Sequence, residues 1–181
     1  MNTIAQLKHS HLQFVLVSAF ALLAAAVGGN AAAASANASA TTTVVTPIAV
    51  AKAVDLAFGN IIASSTAGTV TVDTDGARSK TGGVSLGSGS GTAAKFDITG
   101  AGTMTYSITY AAGVTLTGAG DPMALTQVSN LSGAAGASGL VATGALTAGA
   151  QSLYIGGTLA VGANQAAGIY TGAISATVDY N

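Results

Sequence analysis

The side chains that could do chemistry are few. Beyond His11 the sequence has no His, and it has no Cys or Glu anywhere. What remains is six aspartates, Lys52, Arg78, Lys80, Lys95 and five tyrosines. A hydroxyl nucleophile needs a neighbouring base, most often His, to take its proton. A Ser–Lys dyad on Lys52, Lys80 or Lys95 is the formal substitute, and no spacing singles out a serine to go with it. "DTDGARSK" sets Asp73 and Asp75 two apart before Gly76, echoing the start of a calcium loop. Arg78 and Lys80 then stand where further acidic ligands belong, so the stretch reads as a hairpin turn. "GSGSGTAAK" has the glycines of a phosphate loop, but Lys95 is wrongly spaced and nothing helical follows. Tyr106, Tyr110, Tyr154, Tyr170 and Tyr180 fall at period-2 positions, which suits core and strand edge better than a sugar platform. The expectation is a non-enzymatic protein with no catalytic residue, no cofactor and no metal site.

The elements around these residues begin with a leader. "MNTIAQLKHSH" is polar and carries Lys8; "LQFVLVSAFALLAAAVGG" is apolar; "NAAAASANASA" is a run of small residues with A-x-A triplets. That is the three-part layout of a secretory signal peptide, and its apolar core of roughly fifteen residues is short for a membrane span. The expected division is a cleaved signal helix over residues 1–36 and one domain over 37–181. No stable membrane span is expected after cleavage, and the product is expected in the periplasm, at the cell surface or outside the cell.

Without the leader, four basic residues face six aspartates, a net charge of −2. Charged residues are 6% of the chain, against roughly a quarter in ordinary soluble proteins, and no basic patch exists for nucleic acid. An exported domain without cysteine must be held by core packing and ladder hydrogen bonds. Small and β-branched residues between glycines suit many short strands. "TTTVVTPIAVAKA" alternates, with Pro47 marking an edge strand or bulge. "GTVTVD" breaks at Asp75–Gly76. "AAKFDITG" and "MTYSITY", with Phe96, Ile98, Met104, Tyr106, Ile108 and Tyr110 inward, read as a hairpin around "AGT". "GVTLTG" and "ALTQVSN" flank a turn at Asp121–Pro122, and "LVATGAL", "QSLYIGGTLAV" and a terminal strand follow. About ten or eleven strands at roughly 8–12-residue spacing point to an all-β, antiparallel sandwich.

The last fourteen residues, "GIYTGAISATVDYN", alternate from Gly172 onward, with Gly168, Tyr170, Ile174, Ala176, Val178 and Tyr180 on the apolar face. Together with "VDLAFGNI", "GARSKTGGVSL" and "AKFDITGAGTMTYSI", this end resembles a bacterial family known as domain of unknown function 4402, over essentially the whole chain after the leader. More distantly the layout is similar to the chaperone–usher pilins and spore-coat-U-like subunits, which are immunoglobulin-like β-sandwiches. Their C-terminal signature, a glycine fourteenth from the end and a penultimate aromatic, corresponds to Gly168 and Tyr180. That resemblance implies an open groove beside the terminal strand, lined by Ile174, Ala176 and Val178, which a neighbouring copy or a periplasmic chaperone fills by adding a strand. Two departures stand against it. Pro47 sits about where many pilins place a cysteine, and "SANASATTT" supplies no large apolar residues as a donor. Either Val44, Ile48 and Val50 form the donor stripe, or the domain completes its own sandwich. The corresponding functions are a structural or adhesive surface protein, fimbrial in type, and a monomeric secreted module binding carbohydrate or another surface ligand.

Overall fold

Alternating small, β-branched and aromatic residues leave the backbone little but extended conformations, and the chain is built accordingly. The computed structural model describes residues 33–181, so most of the segment expected as a signal peptide lies outside the described residues. The chain divides into two units, Met1–Thr43 and Val44–Asn181. In the first, residues 33–43 have no regular secondary structure and are exposed. Among the described residues the second contains strands and no helix: β1 (Ala49–Val54), β2 (Ile61–Ile62), β3 (Gly68–Val72), β4 (Arg78–Gly82), β5 (Ser85–Leu86), β6 (Ala94–Thr99), β7 (Thr105–Tyr110), β8 (Thr115–Leu116), β9 (Met123–Asn130), β10 (Thr143–Ala145), β11 (Ala150–Val161) and β12 (Ala176–Tyr180).

All pairings are antiparallel. The largest sheet is organised by β11, which is long enough to serve two partners along one edge. Its first half pairs with β6 and its second half with β3, while β9 runs along the other edge over Tyr154–Leu159. The handover falls at Gly156 and Gly157, both buried. A β-carbon on Gly156 would collide with the Val72 carbonyl, and one on Gly157 would come within 2.7 Å of Leu125 Cδ1 and the Thr126 carbonyl oxygen. β1 flanks β6, β4 flanks β3 and β8 flanks β9; β10-β7-β12 form a second sheet and β2-β5 a small third.

β3 and β4 form the hairpin expected around Asp75–Gly76, with Gly76 at φ +87°. β8 and β9 pair across Asp121–Pro122 as expected. The hairpin expected between "AAKFDITG" and "MTYSITY" is not formed: β6 lies between β1 and β11, and β7 lies between β10 and β12. The turn at Ala101–Gly102 switches sheets. The apolar faces of both strands contribute to one core cluster, in which Phe96, Ile98, Leu153 and Ile155 of the large sheet meet Tyr106, Ile108 and Val178 of the small one. Packed face to face, these residues leave water on one side of each sheet; side by side in one sheet, they would share a single face with nothing opposite.

A second cluster gathers Phe58, Val70, Val72, Val84, Val114, Met123, Leu125, Leu159 and Val161. Leu56 and Ile174 pack against both clusters, so they mark the seam between them.

Candidate cleft between the first and last strands

Among the described residues several strands keep one free edge, and two of these strands, β1 and β12, lie beside each other. β1 pairs with β6 alone, and β12 with β7 alone. The two run in opposite directions beside each other. At one end they are bolted together: the Tyr180 hydroxyl donates to the Thr46 carbonyl at 2.9 Å and accepts the Ala101 N–H at 2.6 Å. Toward the other end they part, and a cleft of about 380 Å³ opens over the seam of the core. One wall is Lys52, Val54, Asp55 and Leu56; the other is residues 170–174. Phe58, Ala94, Phe96, Leu116 and Leu125 make the floor. The charges on the rim compensate each other, since Lys52 Nζ lies 2.6 Å from Asp55 Oδ1.

The C-terminal wall is placed by Tyr170. Its hydroxyl donates to the Ala166 carbonyl at 2.8 Å and accepts from Gln165 Nε2 at 2.9 Å. Its ring occupies the space that a β-carbon at Gly118 would need. Thr171 exchanges both backbone hydrogen bonds with Thr117, and the Ser175 carbonyl accepts from Ala111. Between them Gly172, Ala173 and Ile174 make no backbone hydrogen bond among the described residues. Because antiparallel bonding alternates, the N–H and C=O groups of Ala176, Val178 and Tyr180 face the free edge of β12.

The residues singled out in the sequence are distributed as follows. Tyr170, Ile174, Ala176 and Tyr180 are half-buried and Val178 is buried, whereas Ile169, Thr171, Ala173, Ser175, Thr177 and Asp179 are exposed. Regular pairing starts only at Ala176, later than the alternation from Gly172 implies. Gly168 lies in the exposed approach, not in the strand. Of the residues expected as a donor stripe, Val44 is 92% exposed, while Ile48 and Val50 pack against the chain's own core cluster in which the two sheets meet. Phe96 was legible as an inward-facing residue; that it floors a cleft with Phe58 and Leu125 was not. Gln165 carried no sequence signal.

The polar groups that invited a chemical reading are tied to the chain's own backbone. The Asp73 carboxylate accepts the Gly136 N–H at 2.6 Å and the Thr74 N–H at 2.7 Å, and the first of these bonds is the main reason its pKa is held below the ordinary carboxylate value. Asp75 accepts the Ala77 N–H at 2.8 Å. Arg78 donates to the carbonyls of Phe58 at 2.8 Å, Asn60 at 3.3 Å and Gly87 at 3.0 Å, clamping the stretch that leads from β1 into β2. Lys95 and Asp97 pair at 3.0 Å on an exposed face; their mutual hydrogen bond raises the first pKa and lowers the second. No group of His, Cys, Asp or Glu among the described residues is arranged to hold a metal ion. No helix among them is long and apolar enough to cross a membrane.

No curated protein and no solved structure gives a significant match to this sequence. A family profile does, across residues 48–180, from the start of β1's approach to the penultimate tyrosine that bolts the cleft. The chain belongs to that family, the domain of unknown function DUF4402.

Proposed function

We propose that this protein is an exported, non-enzymatic subunit with a structural or adhesive role at the cell surface, pilin-like in construction, and that it accepts a β-strand from a partner at the cleft. In this reading the two facing sheets are an immunoglobulin-like β-sandwich, the leader is a cleaved signal peptide, and the partner is another copy or a periplasmic chaperone. The observation that carries it is the cleft itself. The end of β1 and the stretch 170–174 that leads into β12, in which residues 172–174 make no backbone hydrogen bond among the described residues, flank an apolar floor, an arrangement in which added backbone hydrogen bonds could supply affinity and alternate side chains register. An edge left bare in this way is an aggregation hazard unless something covers it. The low charge of the chain fits a surface that is covered in use.

The test is export of the full chain in a Gram-negative host, followed by protease shaving of intact cells and electron microscopy of the sheared material. Surface-accessible protein in fibres or sheets is the expected result. A chain that remains monomeric and free inside the envelope overturns the assembled reading and leaves a secreted binding module.

A further inference from the structure

The outer face of the large sheet carries a polar cluster that neither the cleft nor the core uses. On β6, Lys95 and Asp97 point outward between the buried Ala94, Phe96 and Ile98; on β11, Ser152 and Tyr154 point outward on either side of the buried Leu153. The strand register sets these residues side by side in two rows. Ala51, Asp97 and Ser152 make one row, and Lys95, Tyr154 and Asn130 make the next. Beyond the first row come Ala49, Thr99 and Ala150, all exposed, so the face is open on that side.

Asp97 Oδ1 accepts the Ser152 hydroxyl at 2.9 Å and lies 3.0 Å from Lys95 Nζ. Both contacts fall on one oxygen, which fixes the carboxylate and leaves Oδ2 for a further donor. Lys95 likewise keeps N–H groups to give, since an ammonium has three. Tyr154 is braced by a loop. Gly133 lies against its ring, where a β-carbon would come within 3.0–3.2 Å of Cζ, Cε1 and Cε2. That loop is tied down at three points. Asn130 Oδ1 accepts the Ser132 N–H and hydroxyl, both at 2.8 Å, Gln151 Nε2 donates to the Leu131 carbonyl at 2.9 Å, and Asp73 accepts the Gly136 N–H at 2.6 Å. A polar pair held by its neighbours and a ring braced by a tied loop lose little freedom when something binds. The other tyrosines are not so placed: Tyr106 is buried, and the hydroxyls of Tyr110, Tyr170 and Tyr180 donate to backbone carbonyls of the chain itself.

We infer that this shelf binds a neutral saccharide, with Asp97 and Lys95 taking two vicinal hydroxyls and the Tyr154 ring receiving the C–H face of the sugar. Neutrality follows from the pair: Lys95 and Asp97 compensate each other, so an anion meets the carboxylate and a cation meets the ammonium. Hydroxyl recognition follows from an acceptor and a donor held side by side. Asp97 Oδ2 accepts from one hydroxyl and Lys95 Nζ donates to the next, both as charge-assisted bonds. A protein partner would need a broad apolar centre. The shelf offers one aromatic ring among Ala51, Ser152 and charged groups, which suits a ligand of sugar size. The inference rests on the adhesive side of the reading above and gives it a ligand class. It does not need strand addition, because the shelf is on the outer face of the sheet and the cleft opens over the core.

The test is native affinity electrophoresis of the full exported chain in gels containing mannan, dextran or galactomannan, with hyaluronan as the charged comparison. The expected result is retardation by at least one neutral polysaccharide, lost when its vicinal diols are cleaved with periodate and the product is reduced. Asp97→Asn and Tyr154→Ala should each weaken the interaction at least about tenfold, and Lys80→Ala on β4 should not. Asp97→Asn keeps the shape of an exposed side chain and should leave melting close to the parent, so it decides the case if Tyr154→Ala melts early. No retardation by any neutral polysaccharide, retardation by hyaluronan alone, or retardation unchanged in Asp97→Asn overturns the site. Light scattering of the same samples reads assembly separately. A monomer that binds sugar keeps this site and loses strand acceptance; fibres that ignore every polysaccharide do the reverse.

Discussion

Tyr106 and Tyr180 are direct cross-strand partners on β7 and β12, and removing one oxygen from each should move stability in opposite directions. The Tyr180 hydroxyl makes two hydrogen bonds, from the Ala101 N–H and to the Thr46 carbonyl. Tyr180→Phe loses both. Thr46 is exposed and its carbonyl rehydrates, while the Ala101 N–H is half-buried and is left with less water. At about 0.5–1.5 kcal/mol per net bond the loss is about 1–2 kcal/mol, with a fall in melting temperature of roughly 2–8 °C for a chain of this size. The Tyr106 hydroxyl is fully buried and has no hydrogen-bond partner. Tyr106→Phe removes an unpaired polar atom from an apolar cluster and should stabilise by about 1 kcal/mol. The two substitutions should therefore differ by about 2–3 kcal/mol in urea unfolding at pH 7. Amide exchange separates the causes: Tyr180→Phe should speed exchange along β1, whose approach it frees, and Tyr106→Phe should not. Equal destabilisation by both variants, or unchanged exchange in β1 for Tyr180→Phe, refutes the bolt and the orphan hydroxyl together.

Burial, with a smaller contribution from Tyr110, raises the Tyr106 pKa. Stability should hold below about pH 10 and fall as pH rises from there through the folded value, and Tyr106→Phe should flatten that limb of the urea midpoint curve. Asp73 is the opposite case: its pKa is lowered, first by the Gly136 N–H. Its contribution should be present above about pH 4 and disappear as pH falls through the folded value, so Asp73→Asn should flatten the acid limb and loosen the 131–139 loop in hydrogen exchange. Arg78→Ala takes their guanidinium donor from the Phe58 and Gly87 carbonyls, while the Asn60 carbonyl keeps the Gly87 N–H, and should destabilise by about 2–3 kcal/mol; Arg78→Lys should recover only part, since an ammonium lacks the fork. Gly172→Ala drives a β-carbon into the Thr115 carbonyl and should destabilise by about 1–3 kcal/mol, with the shift largest at the cleft wall in chemical-shift mapping.

Period-2 alternation was enough to identify the strands and to say which of their faces is buried. Ile174, Ala176 and Val178 turn inward, Phe96 and Ile98 turn inward, and the Asp75–Gly76 turn joins β3 to β4, all as the residue types require. The absence of His, Cys and Glu beyond the leader likewise decided in advance which side-chain chemistries had no residues to run on. What alternation does not encode is whether two strands with matching apolar faces lie side by side or across a core. β6 and β7 read as a hairpin and are instead face to face in different sheets, because hydrogen-bond pairing and side-chain packing both satisfy the same local pattern. For the same reason Val44, Ile48 and Val50 read as one stripe, yet two of them are held by the chain's own core and the third is bare. The free edges of β1 and β12, the bolt at Tyr180 and the seam beneath Leu56 and Ile174 exist only when residues more than a hundred positions apart are brought together. Sequence spacing carries no term for that approach; only the packed sheets decide it.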